Sequence, residues 1–132
     1  MQTSVVSSWF TRIAGLPGAN GEVTCMKAVL LAGGRGTRMG SLTDETPKPL
    51  LHVGGRPLIE RAIEKVVHAG ATELIIATGY RAEQFEEVLG DGSVWGANFV
   101  YSVEETALGT GGALALAART FLTPNDTVVV VN

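Results

Sequence analysis

The feature that most constrains the fold of this chain is an alternation of short apolar runs with amphipathic segments. Four apolar runs have the length of a strand, and three segments with helical periodicity separate them. The predicted strands are KAVLLA (27–32), TELIIAT (72–78), ANFVYSV (97–103) and DTVVVV (126–131). Strands that alternate with helices form βαβ units. The sequence therefore predicts an α/β fold, a Rossmann-like three-layer α/β/α arrangement with a mostly parallel sheet.

The intervening segments carry the signals of amphipathic helices. In the first, Pro57 suits the first helical turn and Gly70 the C-terminal stop. In the second, Phe85, Val88 and Leu89 are grouped on one predicted face. The three predicted helices lie within RPLIERAIEKVVHAG (56–70), RAEQFEEVLG (81–90) and GGALALAARTF (111–121).

Composition narrows the classes of protein to which the chain can belong. With 132 residues, 45% of them hydrophobic and 17% charged, it fits one small soluble globular domain. A net charge of −3 gives no general attraction to nucleic acid or to anionic membranes. No apolar run approaches the roughly 18 residues of a membrane span, and the single cysteine, Cys25, is compatible with a reducing compartment. We expect a cytoplasmic protein without a nucleic-acid or membrane partner.

The clear patterning begins only at Met26. The preceding residues lack the basic start and the continuous apolar stretch of a signal peptide, and LPGANGE within them is typical of a loop. We expect residues 1–25 to be a poorly ordered N-terminal extension and residues 26–132 to form the folded unit. We also hypothesise that Met26 is the natural start.

A glycine-rich, cationic loop, GGRGTRMG, directly follows the first predicted strand. Glycine lets backbone N–H groups approach a ligand closely, and phosphate oxygens are the ligands that such groups commonly bind. The cations Arg35, Arg38 and Lys48 lie within this loop or shortly after it and can add charge-assisted hydrogen bonds. A surface turn with solvated arginines is the alternative interpretation.

Two common phosphate-binding motifs do not fit this loop. A P-loop requires a lysine directly after the second glycine of its pattern, and no glycine pair here meets that spacing. The dinucleotide fingerprint, begun at Gly34 and Gly36, requires a glycine where Met39 stands. A nicotinamide-dependent dehydrogenase is therefore disfavoured.

Two longer segments resemble the signature of the sugar-phosphate nucleotidyltransferases, the nucleoside-diphosphate-sugar pyrophosphorylases. They are LLAGGRGTRMGSLTDETPKPLLHVGGRPLIE (30–60) and YSVEETALGTGGALALA (101–117). The resemblance extends from Met26 to Asn132 and is to the N-terminal portion of the family. It is greatest to heptose- and mannose-1-phosphate guanylyltransferases. Uridylyltransferases acting on N-acetylmuramate 1-phosphate come second, because Gly109 stands where those enzymes tend to carry an acidic residue.

The resemblance implies a reaction between a nucleoside triphosphate, with GTP favoured, and a sugar 1-phosphate, with release of pyrophosphate. A sugar phosphate oxygen attacks the α-phosphorus, so no protein nucleophile is needed and catalysis depends on positioning and charge. His52 and His68 have no partners that suggest a catalytic triad, and we interpret both as structural or surface residues.

The resemblance also implies roles for individual residues. Arg38 and Lys48 would be the catalytic cations, whereas Arg35 falls at a variable position. Glu104 and Glu105 are open between solvated loop residues and contacts to the base, and Glu105 is retained as a binding candidate. The remaining nucleotide-binding candidates are Leu31, Ala32, Gly33, Gly34, Gly36, Thr37, Gly109, Thr110, Gly111 and Gly112.

A departure from the family pattern concerns the metal. In the family, a strand such as TVVVVN continues into Gly-Asp, whose aspartate holds the catalytic Mg²⁺, whereas the sequence here ends at Asn132. No residue in it is assigned to the metal. We expect the chain by itself to bind nucleotide weakly and to be inactive. A non-catalytic nucleotide-binding regulatory homologue is the alternative, and an oligomer is compatible with either.

Overall fold

The computed structural model describes residues 26–34, 38, 40–41 and 45–132. The predicted N-terminal extension lies outside the described residues. The strands are β1 (Met26–Leu31), β2 (His52–Val53), β3 (Arg56–Pro57), β4 (Ala71–Thr78), β5 (Asn98–Val103) and β6 (Thr127–Val131). The helices are α1 (Leu58–His68), α2 (Ala82–Leu89) and α3 (Gly109–Phe121). Short 3₁₀ turns occur at Lys48–Leu50 and Ser93–Trp95.

The main sheet has four parallel strands in the order β5-β4-β1-β6. At its centre, Val29 of β1 pairs with Ile75 of β4 on one side and with Val130 of β6 on the other. The α/β fold with a mostly parallel sheet is confirmed. The small antiparallel pair β2–β3 was not predicted, because two residues per strand are too few to show an alternating pattern.

Helices cover both faces of the sheet, which gives the expected three layers. On one face, Ile63 of α1 and Phe85 of α2 pack with Leu30 and Ile76 in one core. On the other face, Ala117 of α3 packs with Val29 and Ile75 in a second core. The alternation of these strand residues between two cores is the pattern of strands buried on both faces.

Apolar residues of two predicted elements are not fully buried in the structure. Val88 is 46% exposed, so the apolar face of α2 rests on Phe85 and Leu89 instead. The four valines of β6 are only partly buried, because among the described strands β6 pairs on one side only, with β1. A run of apolar residues predicts a strand but does not specify its place in the sheet.

At the amino edge of the sheet, the ammonium group of Lys27 connects three parts of the chain. Its Nζ lies 2.9 Å from Glu73 Oε1 and 3.3 Å from Asp126 Oδ2, and it donates a hydrogen bond to the carbonyl oxygen of Phe121 at 3.0 Å. The hydrogen bond that Lys27 donates to Glu73 is the largest influence that raises the pKa of Lys27. This group links β1, β4 and the connection from α3 to β6 at the edge opposite the glycine-rich loop.

A second connection links α2 to β5. The hydroxyl of Tyr101 donates to the carbonyl oxygen of Gly90 at 2.6 Å, and burial raises the pKa of Tyr101 to about 12. The rings of Trp95 and Phe99 stack with centroids 5.3 Å apart.

Among the described residues, none of the helices has the length and apolar character needed to cross a bilayer.

Candidate functional site

The topology creates a crevice at the carboxyl ends of β1 and β6. The chain leaves β1 through α1 to reach β4 on one side, whereas α3 leads to β6 on the other side of β1. The strand order thus changes direction between β1 and β6, and ligands of α/β proteins bind beyond the carboxyl ends of the strands at such a point.

A cavity of about 600 Å³ lies at this point. Its volume is within the range of small-molecule sites. It is lined by Leu30, Leu31, Ala32, Gly34, Arg38, Lys48, Pro49, Leu58, Ile59, Ala62, Val131 and Asn132. The structure thus brings five of the predicted site residues to one cavity, which are Leu31, Ala32, Gly34, Arg38 and Lys48.

The cavity has apolar walls and two solvent-exposed cations in its lining. Ile59 is buried, and Leu58 and Ala62 from the same helix are partly buried, whereas Arg38 and Lys48 are exposed to solvent. Cations at the opening of a crevice attract anions, and the apolar walls can hold the uncharged part of a ligand. The arrangement suits a molecule with a phosphate end and a less polar body.

Lys48 is presented by a short, well-anchored turn. The amide of Leu50 donates to the carbonyl oxygen of Pro47 at 2.9 Å, and the amide of Leu51 donates to that of Lys48 at 3.1 Å. Pro47 is fully buried and Leu50 is 2% exposed. Buried residues on both sides of Lys48 fix its backbone and leave its side chain exposed, and the flanking Pro47 and Pro49 restrict that backbone further.

The first two glycines of the loop have different surroundings. The amide of Ala32 donates to the carbonyl oxygen of Ala77 at 2.7 Å, so the sheet ladder continues up to Gly33. A Cβ atom on Gly33 would lie 2.8 Å from Glu104 Oε1, whereas a Cβ on Gly34 would meet nothing within 4 Å. Gly34 therefore leaves open space at the cavity. The candidates Gly36 and Thr37, and also Arg35, lie outside the described residues.

Glu104, for which the sequence left two interpretations open, joins three loops at the carboxyl edge. Its amide donates to the carbonyl oxygen of Thr78 at 2.8 Å, and its Oε2 accepts a hydrogen bond from the amide of Leu108 at 2.9 Å. Its other oxygen, Oε1, occupies the space beside Gly33 that a Cβ atom there would need. Glu105 is exposed and has no such contact among the described residues. The sequence signal for the bond from Leu108 to Glu104 is the place of Glu104 shortly before α3, because the first amides of a helix need acceptors.

The second glycine loop forms the first turn of α3. Gly109 has a φ of 71°, the left-handed region that favours glycine, and a Cβ there would meet nothing within 4 Å. Gly109, Thr110 and Gly111 are exposed, and Gly112 is partly buried. These residues do not line the cavity. They lie beyond Glu104, which separates them from Gly33.

Sequence reasoning did not single out most of the apolar lining. Val131 and Asn132 come from the end of β6, and Leu58, Ile59 and Ala62 come from α1. The apolar stripe of α1 was visible in the sequence, but its use as a cavity wall depends on the place of α1 against the sheet. The position of β6 beside β1 likewise decides that Val131 reaches the cavity.

The described residues do not form a metal site. Among them, no group of three or more His, Cys, Asp or Glu residues is placed to hold a metal ion. The described residues that line the cavity include two cations and no carboxylate. Since Mg²⁺ takes oxygen ligands, these side chains do not fit a magnesium site.

Comparison with known proteins gives consistent matches to one family. A family model described as "Nucleotidyl transferase" matches residues 27–132. An N-acetylmuramate α-1-phosphate uridylyltransferase of Neisseria meningitidis is 47% identical over 110 residues, which cover 79% of this chain and 48% of that protein. A mannose-1-phosphate guanylyltransferase of Mycobacterium tuberculosis is 41% identical over 105 residues, which cover 80% of this chain and 29% of that protein.

A solved structure gives the same result for the fold. The crystal structure of a putative glucose-1-phosphate thymidylyltransferase from Bacillus anthracis, in complex with a sucrose, matches with a TM-score of 0.74 at 36% identity. The match covers 81% of this chain and 43% of that chain. The chain spans half or less of the length of each of these relatives.

Proposed function

Since this chain belongs to the nucleotidyl transferase family, we propose that it carries the nucleotide-binding part of a sugar-1-phosphate nucleotidyltransferase. The observation that carries the proposal is the cavity at the ends of β1 and β6, whose lining includes Arg38, Lys48 and Gly34. In the proposed reaction, the enzyme transfers a nucleoside monophosphate from a nucleoside triphosphate to a sugar 1-phosphate and releases pyrophosphate.

The chemistry proposed for the cavity requires no covalent intermediate with the protein. An oxygen of the sugar phosphate forms a bond to the α-phosphorus of the triphosphate, and the bond from that phosphorus to the pyrophosphate oxygen breaks. Negative charge accumulates on the leaving pyrophosphate. Arg38 and Lys48 neutralise that charge, and the backbone at Gly33 and Gly34 binds the phosphates. We further propose that the LGTGG loop, which does not line this cavity, lies over the nucleobase of the bound triphosphate.

The base and the sugar are the finer parts of the proposal. GTP and a heptose or mannose 1-phosphate are the first expectation, supported by the guanylyltransferase relatives and by Gly109, whose backbone conformation disfavours the acidic residue of the uridylyltransferase pattern. UTP and N-acetylmuramate 1-phosphate are the second, supported by a relative at 47% identity. Magnesium enters the proposal only as the counter-ion that accompanies the triphosphate.

The location and the minimal active unit are also proposed. Nucleoside triphosphates are cytoplasmic substrates, and we place the protein there. The described cavity lining offers no carboxylate for a metal. We therefore expect residues 1–132 alone to bind triphosphate weakly and to lack efficient release of pyrophosphate. Efficient magnesium-dependent release by these 132 residues would contradict this expectation.

The experiment that tests the function is a substrate panel on the protein as its gene encodes it. Each of the four common nucleoside triphosphates is combined with mannose, heptose, glucose and N-acetylmuramate 1-phosphates, and pyrophosphate release is measured. Release that requires both substrates supports the proposal, and the preferred pair identifies the base and the sugar. Triphosphate binding without release in any combination would favour the non-catalytic homologue instead.

A further inference from the structure

A hydrogen bond connects α2 to the segment that presents Lys48. Gln84 Nε2 donates to the carbonyl oxygen of Glu45 at 2.9 Å, across 39 positions of sequence. Gln84 belongs to the helix that follows β4, whereas Glu45 lies three residues before Lys48 in the connection that follows β1. The bond therefore joins two separate connections at the carboxyl edge of the sheet.

The donor is held by a firmly packed helix. Phe85, the neighbour of Gln84 in α2, is completely buried, and Leu89 is 3% exposed. Beyond the end of α2, the hydroxyl of Tyr101 donates to the carbonyl oxygen of Gly90, which fixes this end to β5. A side chain on such a helix has a fixed backbone, so the bond from Gln84 defines where the carbonyl of Glu45 lies.

The acceptor is close enough to Lys48 to control its backbone. Only Thr46 and the buried Pro47 separate Glu45 from Lys48, and the ring of Pro47 removes one rotatable backbone dihedral. Downstream, the amide of Leu58 donates to the carbonyl oxygen of Leu51 at 3.0 Å and fixes the other end of the segment to α1. Lys48 is thus presented between an anchor on α1 and an anchor on α2.

We propose that Gln84 is a positioning residue for Lys48, which it acts on through the carbonyl of Glu45. The inference rests on the proposed function, in which Lys48 neutralises charge on the phosphates. A lysine side chain has many conformations, so the place of its backbone decides how often its ammonium group reaches the phosphates. Displacements of about 1 Å in a catalytic group can reduce rates strongly.

The first experiment is a double-mutant cycle on the protein as its gene encodes it. Gln84→Ala is expected to lower kcat roughly 3- to 10-fold, the equivalent of one hydrogen bond, with a smaller change in KM. Gln84→Glu keeps the shape, removes the donor and is expected to lower kcat at least as much. In the Lys48→Ala background, the effect of Gln84→Ala should disappear, because the group it positions is absent. Glu87→Ala, an exposed residue one turn further along α2, is the matched control and should retain full turnover.

The second experiment detects the hydrogen bond from Gln84 to the carbonyl of Glu45, which we call the tether, without an enzyme assay. Hydrogen exchange at the amides of Leu50 and Leu51, which donate within the Lys48 turn, should become faster in Gln84→Ala and stay unchanged in Glu87→Ala. The amide of Phe99, bonded to the carbonyl oxygen of Asp91 at 2.9 Å, serves as an internal reference. Equal exchange in the wild type and Gln84→Ala would contradict the tether.

The outcomes separate this inference from the proposed function. Wild-type kcat in both Gln84 variants, or a loss that persists in full without Lys48, overturns the positioning role while the function stands. Unchanged turnover in Lys48→Ala overturns the role of Lys48 in the proposed function, together with the positioning role that depends on it. The hydrogen-exchange result then still reports whether the tether itself exists.

Discussion

Gly33 and Glu104 are packed so closely across the carboxyl edge of the sheet that a Cβ on Gly33 would lie 2.8 Å from Glu104 Oε1. The same carboxylate accepts a hydrogen bond from the amide of Leu108. One side chain thus connects the loop after β1 with the start of α3, the two loops that the sequence associates with a nucleotide.

Substituting the two glycines should have separable effects. Gly33→Ala forces the Glu104 carboxylate to move and weakens its bond to Leu108, so the free energy of unfolding should fall by about 1 kcal/mol. Gly34→Ala meets no atom within 4 Å and should leave stability unchanged. Because Gly34 lines the cavity, its variant should still bind triphosphate more weakly. Urea denaturation and titration calorimetry measure the two quantities, and a Gly34→Ala variant with normal affinity would contradict the placement of the phosphates.

Removing either cation should reduce catalysis without unfolding the protein. Arg38→Ala and Lys48→Ala are each expected to lower the rate of pyrophosphate release about 100- to 1000-fold, the usual loss for a preorganised charge contact. Both side chains are exposed, so the free energy of unfolding should change by less than about 0.5 kcal/mol. Arg119→Ala, an exposed cation in the last turn of α3, is the control. Near-normal turnover in either variant would remove that residue from the proposed machinery.

The side chain of Glu104 should stabilise the fold, whereas that of Glu105 should not. Glu104→Ala leaves the amide of Leu108 without its acceptor and should lower the free energy of unfolding by about 1 kcal/mol. Glu104→Gln retains a carbonyl acceptor and should lose less. Glu105→Ala removes an exposed side chain and should be neutral. Equal stability of the three variants in urea denaturation would show that the bond to Leu108 contributes nothing.

The ion pairs of Lys27 should make stability depend on pH at both extremes. The pKa of Asp126 is held below its usual value, first by the amide of Thr123 and also by Lys27, so its contribution is lost as pH falls through that lowered pKa, below about 3.8. The pKa of Lys27 is raised above 10.5, so its contribution is lost as pH rises beyond that value. The contribution of these two ion pairs should therefore be constant between these limits. Lys27→Met should flatten the alkaline loss in urea denaturation measured from pH 3 to 11, with Lys65→Met, an exposed lysine of α1, as the control.

The two glycines around Val94 should differ strongly in their tolerance of a side chain. A Cβ on Gly92 would lie 2.5 Å from Phe99 Cδ1 and 2.7 Å from the carbonyl oxygen of Ala97, at a φ of 87°. Gly92→Ala should therefore cost about 3 kcal/mol, from backbone strain and overpacking together. Gly96 has a φ of 72° but open space around it, so Gly96→Ala should cost only about 1 kcal/mol. Thermal unfolding of the two variants tests the difference, and equal losses would contradict the packing of Phe99 on Gly92.

Local pattern was sufficient for the regular elements of this chain. The four long strands lie within one residue of their predicted limits, because apolar runs bounded by glycine and polar residues are typical of strands. α2 begins and ends one residue inside its predicted segment, whereas α3 begins two residues early, at Gly109. Glycine disfavours helices by propensity, and the acceptor that Glu104 offers at Leu108 is invisible without the fold.

Residue types that lie close together along the chain were enough to predict the α/β class, the order of the elements, the glycine loop and the cations Arg38 and Lys48. The tertiary structure alone decided that β6 lies beside β1, that the two cations share one cavity, that Glu104 and not Glu105 lies beside Gly33, and that Gln84 holds the Lys48 segment. These relations join residues that are far apart in sequence. They depend on which strands pair and which helix faces meet, and the packing of the whole domain settles that choice.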